Sequence, residues 1–454
     1  MSAEVMQGRR VALIDGASRV DLVVPLRATV ADVLRAAGAE PRHGVRVVGV
    51  SGREIPRGTA MTALDDGAVL VLVDPAVAAP SSTRRSAPTP AASRVTAAWA
   101  VLTAAGGILA LLRLLGADAL PAPVRTPMAA AALVAALAAA AVFALRARPG
   151  SPTLAPVLAV VVLAFGGGVA IVPELPAAST QVAVFTGLLA ASVVSGVIGI
   201  LGATQTVRAQ SRTAAIVTAV LAAVWGLSLL LHLDPSAPAA VTLGLVPVAQ
   251  RVLQSSLVDV APGTFIDYAR FQSTRWTVRQ SLPDEVRTIE ADDADALVER
   301  STARLVVGVV LLVAAGAASA FTALPTFAVA DPVLLGGRIA LAATVVLALL
   351  LGSRKSTVPF LRWVARGGAI VVVAAVLVAL VPTIPREMLV LVAGLVLVVG
   401  LAAALLVVPV GRGLRSLGWS RTGDVFEALA TALSLPAGML AAGAIEIARA
   451  MMAT

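Results

Sequence analysis

The chain contains no cysteine, only two histidines (His43 and His232), a single tyrosine, and Lys355 as its one lysine. Without cysteine there are no disulfides, no thiolate nucleophile and no zinc–sulfur centre. Two imidazoles far apart in sequence make a histidine-based metal or proton site an unpromising expectation. Charge is scarce as well: 13% of residues are Asp, Glu, Lys or Arg, against about 25% in a soluble domain. What is abundant is apolar. Hydrophobic residues make up 58% of 454 positions, and the mean hydropathy is +0.93. A water-soluble protein of this length has no core large enough for that surface, so the bilayer must take it.

The formal net charge of +9 raises the question of nucleic acid. A nucleic-acid surface clusters cations on one face among aromatics, whereas these are arginines just outside apolar runs. No nucleic-acid partner is expected. The first thirty residues alternate charge with apolar positions and lack an uninterrupted apolar run. The expectation is therefore no cleavable signal peptide, with the first transmembrane helix serving for targeting. Lys355 sits in GSRKST, which lacks the upstream glycine of a phosphate-binding loop. There is no paired-histidine metal motif and no nucleophile elbow. No cofactor, metal or catalytic residue is expected.

Residues 1–75 read as a separate soluble domain. Arg9–Asp15 and Arg19–Pro25 are β-prone runs joined by Gly16-Ala17-Ser18, a hairpin signal. Thr29 is placed to cap a helix, with Asp32 three residues on and Gly38 as its stop. Val45–Val50, Arg53–Ile55 and Ala68–Val73 follow as strands. The order β-β-α-β-β-β is a ubiquitin-like β-grasp (α+β) arrangement, expected to bury Val11, Leu13, Leu22, Val24, Val33 and Leu34. Residues 76–94 are rich in Ala, Pro, Ser and Thr and read as a linker.

From 95 to 454 the pattern is that of a polytopic all-α membrane domain of about 11 transmembrane helices. Apolar runs fall near 95–115, 127–145, 154–173, 180–202, 213–232, 238–257, 304–322, 332–351, 367–382, 387–409 and 425–449. Each approaches the roughly 20 residues that cross the hydrocarbon core as helix. Arginine placement sets the orientation. One set of flanks holds Arg84, Arg85, Arg94, Arg146, Arg148, Arg208, Arg212, the Arg-rich segment 251–304, Arg354, Lys355, Arg362, Arg366, Arg412, Arg415 and Arg421. The other holds Arg113, Arg125, Arg338, Arg386 and Arg449. The N-terminus is expected in the cytosol and the C-terminus outside.

Gly106-Gly107, Gly166-Gly167-Gly168 and Ala191/Ser195/Gly199 supply small residues where helices approach closely, either within the bundle or at a subunit seam. The cytosolic loop 258–303, between helices six and seven, combines Phe265, Tyr268, Phe271 and Trp276 with Arg270, Arg275 and Arg279. These are candidate partner contacts or an interfacial anchor. A helix over 290–303 is expected to run into span seven. Ion-coupled transport requires charge within the membrane. Here only Glu427 and Glu446 intrude, each expected within about a turn of the end of the last span.

The head sequence RVALIDGASRVDLVVPLRATVADVLRAAG, the loop between spans six and seven, and the terminal GWSRTGDVFEALATALSLPAGML together resemble EccD. EccD is a membrane component of the type VII (ESX) secretion system of mycobacteria and other actinobacteria. This chain departs from that family by being rather short and by the Ala-rich MAAAALVAALAAAAVFAL of span two. The resemblance implies a non-enzymatic inner-membrane subunit. It implies pairing with a second copy of itself around a cavity that holds lipids. It also implies docking through the head onto other ESX membrane subunits, including an FtsK-like motor ATPase. Secreted helical protein pairs are then the cargo of the whole complex. The competing reading is a secondary transporter or permease with a regulatory N-terminal domain, which requires a polar pathway through the spans.

Overall fold

The computed structural model describes residues 8–15, 18–38, 46–49, 54–73, 90–114, 121–148, 153–175, 178–257, 291–383 and 417–452, with scattered positions from 385 to 401. The chain divides into two compact units, Met1–Arg94 and Val95–Thr454.

In the first unit, β1 (Gly8–Asp15) pairs antiparallel with β2 (Ser18–Pro25), and Asp15 meets Ser18 at the hairpin end. The turn residues 16 and 17 lie outside the described residues. Helix α1 (Val30–Ala36) follows, then β3 (Arg46–Gly49), a 3-10 turn at Met61–Ala63 and β4 (Ala68–Val73). The sheet order is β2-β1-β4-β3, with β1 parallel to β4 and the outer pairs antiparallel. A mixed sheet of this order with a helix after the first hairpin is the expected β-grasp. Of the strand expected at Arg53–Ile55, Arg53 lies outside the described residues; Glu54 forms a bridge with Val48, and the Ile55 amide donates to the Val47 carbonyl (2.8 Å).

The cap forms as its spacing requires. The Asp32 carboxylate accepts from the Thr29 amide (2.9 Å) and hydroxyl (2.8 Å), satisfying a donor that the first helical turn leaves free. Those bonds, led by the one from the Thr29 backbone, hold the Asp32 carboxyl below its ordinary range. Gly38 ends the helix at φ +69°, the left-handed region open to glycine. The core joins Val30, Val33 and Leu34 of α1 to Val11, Leu13, Val24, Val47, Met61 and Leu70. Leu22 packs at its margin and is only partly buried.

The second unit has only helices as regular elements among its described residues: α2 (Pro90–Leu114), α3 (Ala122–Arg146), α4 (Leu154–Ala170), α5 (Ser179–Leu201), α6 (Gln205–Leu230), α7 (Ser236–Ser255), α8 (Ala291–Ala323), α9 (Pro332–Gly352), α10 (Pro359–Leu380), α11 (Leu417–Ala441) and α12 (Ala444–Met452). Among these, nine are long and apolar enough to cross a membrane, and α4 is a shorter apolar helix of 17 residues. The remaining expected span, 387–409, lies mostly outside the described residues; its described positions from 387 to 401 are helical.

Several boundaries differ from the sequence reading. Helix α2 begins at Pro90, inside the expected linker, and α10 begins at Pro359, eight residues before the expected 367. Proline starts both helices because a first-turn residue has no N–H bond to lose. The last expected span, 425–449, is two helices. Helix α11 starts at Leu417 and ends at Ala441, and Gly443 (φ +75°) turns the chain into the amphipathic α12. Helix α8 runs unbroken from Ala291 into the membrane, as expected for 290–303.

Two cores organise this unit. One joins α3, α4 and α5 with parts of α2, α6 and α8. The other joins α6 through α11 with part of α5. Glycine sets the closest approaches. A Cβ at Gly106 would sit 2.5 Å from the Val162 carbonyl oxygen and 2.6 Å from Leu163 Cα. One at Gly168 would sit 2.8 Å from Gly187 Cα. Apolar attraction between helices is absent in lipid, so backbone contact at small residues supplies the packing. Gly106, Gly166, Gly167, Gly168 and Gly199 all meet atoms of this same chain, and Ala191 and Ser195 are buried; of the small residues singled out in the sequence, only Gly107 faces open space. The intramolecular reading of those residues holds.

Candidate functional site

The seven loop residues expected to contact partners, Phe265, Tyr268, Arg270, Phe271, Arg275, Trp276 and Arg279, lie outside the described residues. What the described residues bring together is a polar cavity of about 230 Å³ at the arginine-rich end of the second core. The ends of α7, α9, α10 and α11 meet there beside α8.

The cavity has a charged wall. Asp424 and Glu427 stand three residues apart on α11, so they share a face. The 3-10 turn Ser353–Lys355 at the end of α9 reaches across to them. Lys355 Nζ lies 2.9 Å from Glu427 Oε2 and 3.3 Å from Asp424 Oδ1. Arg354 Nη2 lies 4.0 Å from the same Asp424 oxygen, and its guanidinium packs over Gly423. The Glu427 side chain is 11% exposed, whereas that of Lys355 is 47% exposed. Glu427 Oε2 is close enough for an ion pair, yet its contact with Lys355 does not meet hydrogen-bond geometry.

This places Glu427 differently from the sequence reading. With α11 starting at Leu417 and its apolar span at Arg421, Glu427 is nearly two turns inside rather than at the edge. A buried carboxylate is stabilised only with a counter-charge, and Lys355 supplies it. Glu446 belongs to α12, outside that span. Gln250, Arg251 and Gln254 of α7 also line the cavity, with the apolar Leu305, Val309 and Leu361. The sequence signal for this site was weak. Its parts are spread from residue 247 to 431, and only the fold joins them.

The opposite end of the bundle is organised around arginines that are already bound. Arg113 donates to the carbonyls of Val172 (3.4 Å) and Pro173 (3.2 Å). Arg125, 9% exposed, donates to Glu174 (2.7 Å). That hydrogen bond first, then the charge of Arg125, holds the Glu174 carboxyl below its ordinary range. Arg338, 7% exposed, donates to the Thr326 carbonyl. Among the described residues no three His, Cys, Asp or Glu side chains gather as metal ligands.

Comparison with solved structures finds this fold, over nearly the whole chain, in chains of two ESX complexes. A chain from protomer 1 of the ESX-3 core complex aligns with 97% of this chain and 100% of its own length, at 18% identity and TM-score 0.50. A chain of the ESX-5 inner membrane complex, in its MycP5-free State II, aligns with 88% of this chain and 99% of its own, at 17% identity and TM-score 0.55. The chain has the fold of an ESX membrane-complex chain. No family model and no curated protein matches it by sequence. The ESX-like fold therefore extends over nearly the whole length of this chain, while sequence identity to the solved chains stays below one residue in five.

Proposed function

We propose that this chain is a structural, non-enzymatic inner-membrane subunit of a type VII (ESX) protein secretion machine. In this reading two copies pair around a lipid-filled cavity. The β-grasp head and the 258–303 loop dock other membrane subunits, including an FtsK-like motor ATPase, and secreted helical protein pairs are the cargo of the assembly. The observation that carries the reading is the length of the structural match, which spans the solved ESX-3 chain completely. Fold alone does not fix function, so the assembly is what must be tested.

The proposed orientation has the head in the cytosol and the C-terminus outside. Arginine bias supports it, and so do the exceptions. Arg113, Arg125 and Arg338, three of the five expected outer arginines, are tied to carbonyls or to Glu174. A transporter would draw on Glu427, but that carboxylate faces Lys355 at the basic end.

Gentle detergent extraction of a tagged full-length chain, with native mass determination and identification of co-purifying proteins, tests the reading. A large complex containing a membrane ATPase and two copies of this chain per protomer is expected. Recovery of a lone monomer or simple dimer under several mild detergents would refute it.

A further inference from the structure

The cavity at the arginine-rich end carries donors in want of an acceptor. Gln250 Nε2 is buried and has no hydrogen-bond partner among the described residues, and a buried amide left unsatisfied is costly. Arg251, the next residue, is exposed and takes part in none of the ion pairs among the described residues. Lys355 presents its ammonium between two carboxylates, and Glu427 Oε2 is an acceptor without a directed hydrogen bond. The lining cations are Arg251 and Lys355 and the lining carboxylate is Glu427, while Asp424, beside the lining, is paired to Lys355 as well.

We propose that this cavity binds a phosphate-bearing headgroup. The phosphate oxygens accept from the Gln250 amide, the Arg251 guanidinium and the Lys355 ammonium, and a hydroxyl or ammonium of the headgroup donates to Glu427 Oε2. The chemistry fits each unsatisfied group: guanidinium and ammonium suit phosphate as charge-assisted donors, and a neutral amide adds direction. The size fits as well. About 230 Å³ is below the roughly 300–1,000 Å³ of drug-sized pockets and suits a small polar ester rather than an extended molecule. The surroundings favour a phospholipid over a soluble phosphoester. The site lies where the basic flanks meet the apolar spans, and the apolar Leu305, Val309 and Leu361 line it together with the charged groups. The lining groups named all belong to the second unit, so the proposal does not rest on the assembly reading.

The test uses the full-length chain, delipidated in maltoside and titrated by native mass spectrometry. The probes are phosphatidylglycerol, diacylglycerol and glycerol 3-phosphate, applied to wild type, Gln250→Leu and Arg251→Gln. The tightest phosphatidylglycerol site is expected to weaken about tenfold in each variant, the scale of one charge-assisted hydrogen bond. Diacylglycerol should not compete. Without lipid, Gln250→Leu should melt at or above the wild-type temperature, because it removes an amide that no protein group satisfies; a merely structural glutamine would give a lower one. Equal phosphatidylglycerol affinity in wild type and both variants, or equal competition by diacylglycerol, overturns the proposal. Glycerol 3-phosphate binding as tightly as phosphatidylglycerol overturns the lipid source and assigns the site to a soluble phosphoester.

Discussion

Gly106 and Gly107 are neighbours on α2, yet alanine at each should act in opposite directions. At Gly106 the added Cβ would lie 2.5 Å from the Val162 carbonyl oxygen, 2.6 Å from Leu163 Cα and 2.7 Å from Leu163 N. Carbon contacts prefer about 3.5–4.0 Å, so α2 must withdraw from α4 by roughly 1 Å. All three obstacles are backbone, and no rotamer change relieves them. A gap of that size forfeits about a quarter to a half of the dispersion energy along the seam, and overpacking of this kind costs about 1–3 kcal/mol. At Gly107 nothing lies within 4 Å, and alanine there gains up to about 1 kcal/mol of helix propensity. The two variants should therefore differ by about 1–4 kcal/mol, or roughly 5- to 900-fold in the local opening of α2. Hydrogen exchange of α2 peptides in maltoside reads that ratio directly. Identical exchange in Gly106→Ala and Gly107→Ala would refute backbone contact as the source of the α2–α4 seam.

Lys355→Met should destabilise the bundle by about 1–3 kcal/mol by leaving the mostly buried Glu427 without its counter-charge. Adding Glu427→Gln should restore part of that loss, and a double-mutant cycle on thermal unfolding with no coupling would exclude the pair. Acid should loosen the opposite end of the molecule. The Glu174 carboxyl titrates lower in the folded chain than in the unfolded one, so its contribution is complete above the unfolded value of about 4.3 and is lost as pH falls through the folded value. Glu174→Gln should flatten that part of the pH–stability curve; an unchanged acid limb would remove the Arg125–Glu174 pair from the account.

The apolar spans were legible because lipid demands long uninterrupted runs, and a run announces itself without tertiary context. The head was legible for a related reason: Thr29, Asp32 and Gly38 carry their chemistry locally. Boundaries failed where polar residues sit inside a helix. Arg362, Trp363 and Arg366 hid the start of α10, and Arg421 and Asp424 hid that of α11, since hydropathy stops at the first charge whereas helical hydrogen bonding does not. At Arg53–Ile55 the described residues show a bridge at Glu54, a short pairing that three residues of sequence signal only faintly. The cavity could not be read at all. Gln250, Lys355 and Glu427 each looked like an ordinary helix-end residue, and only the packing of α7, α9 and α11 gives them a common space.

Helix α4 carries a consequence for how the protein experiences its membrane. Its 17 residues span about 26 Å at 1.5 Å per residue, short of the roughly 30 Å hydrocarbon core. Every residue of it except Ala155 is buried or half-buried, so other helices rather than acyl chains form its surroundings. A helix walled in this way has no hydrophobic length to match. Thickening or thinning the bilayer acts on peripheral spans, which answer by tilting, and α2, with Val95, Val101, Ile108 and Leu111 exposed, is open to it. Membranes of different thickness therefore act on the exposed spans before they act on α4.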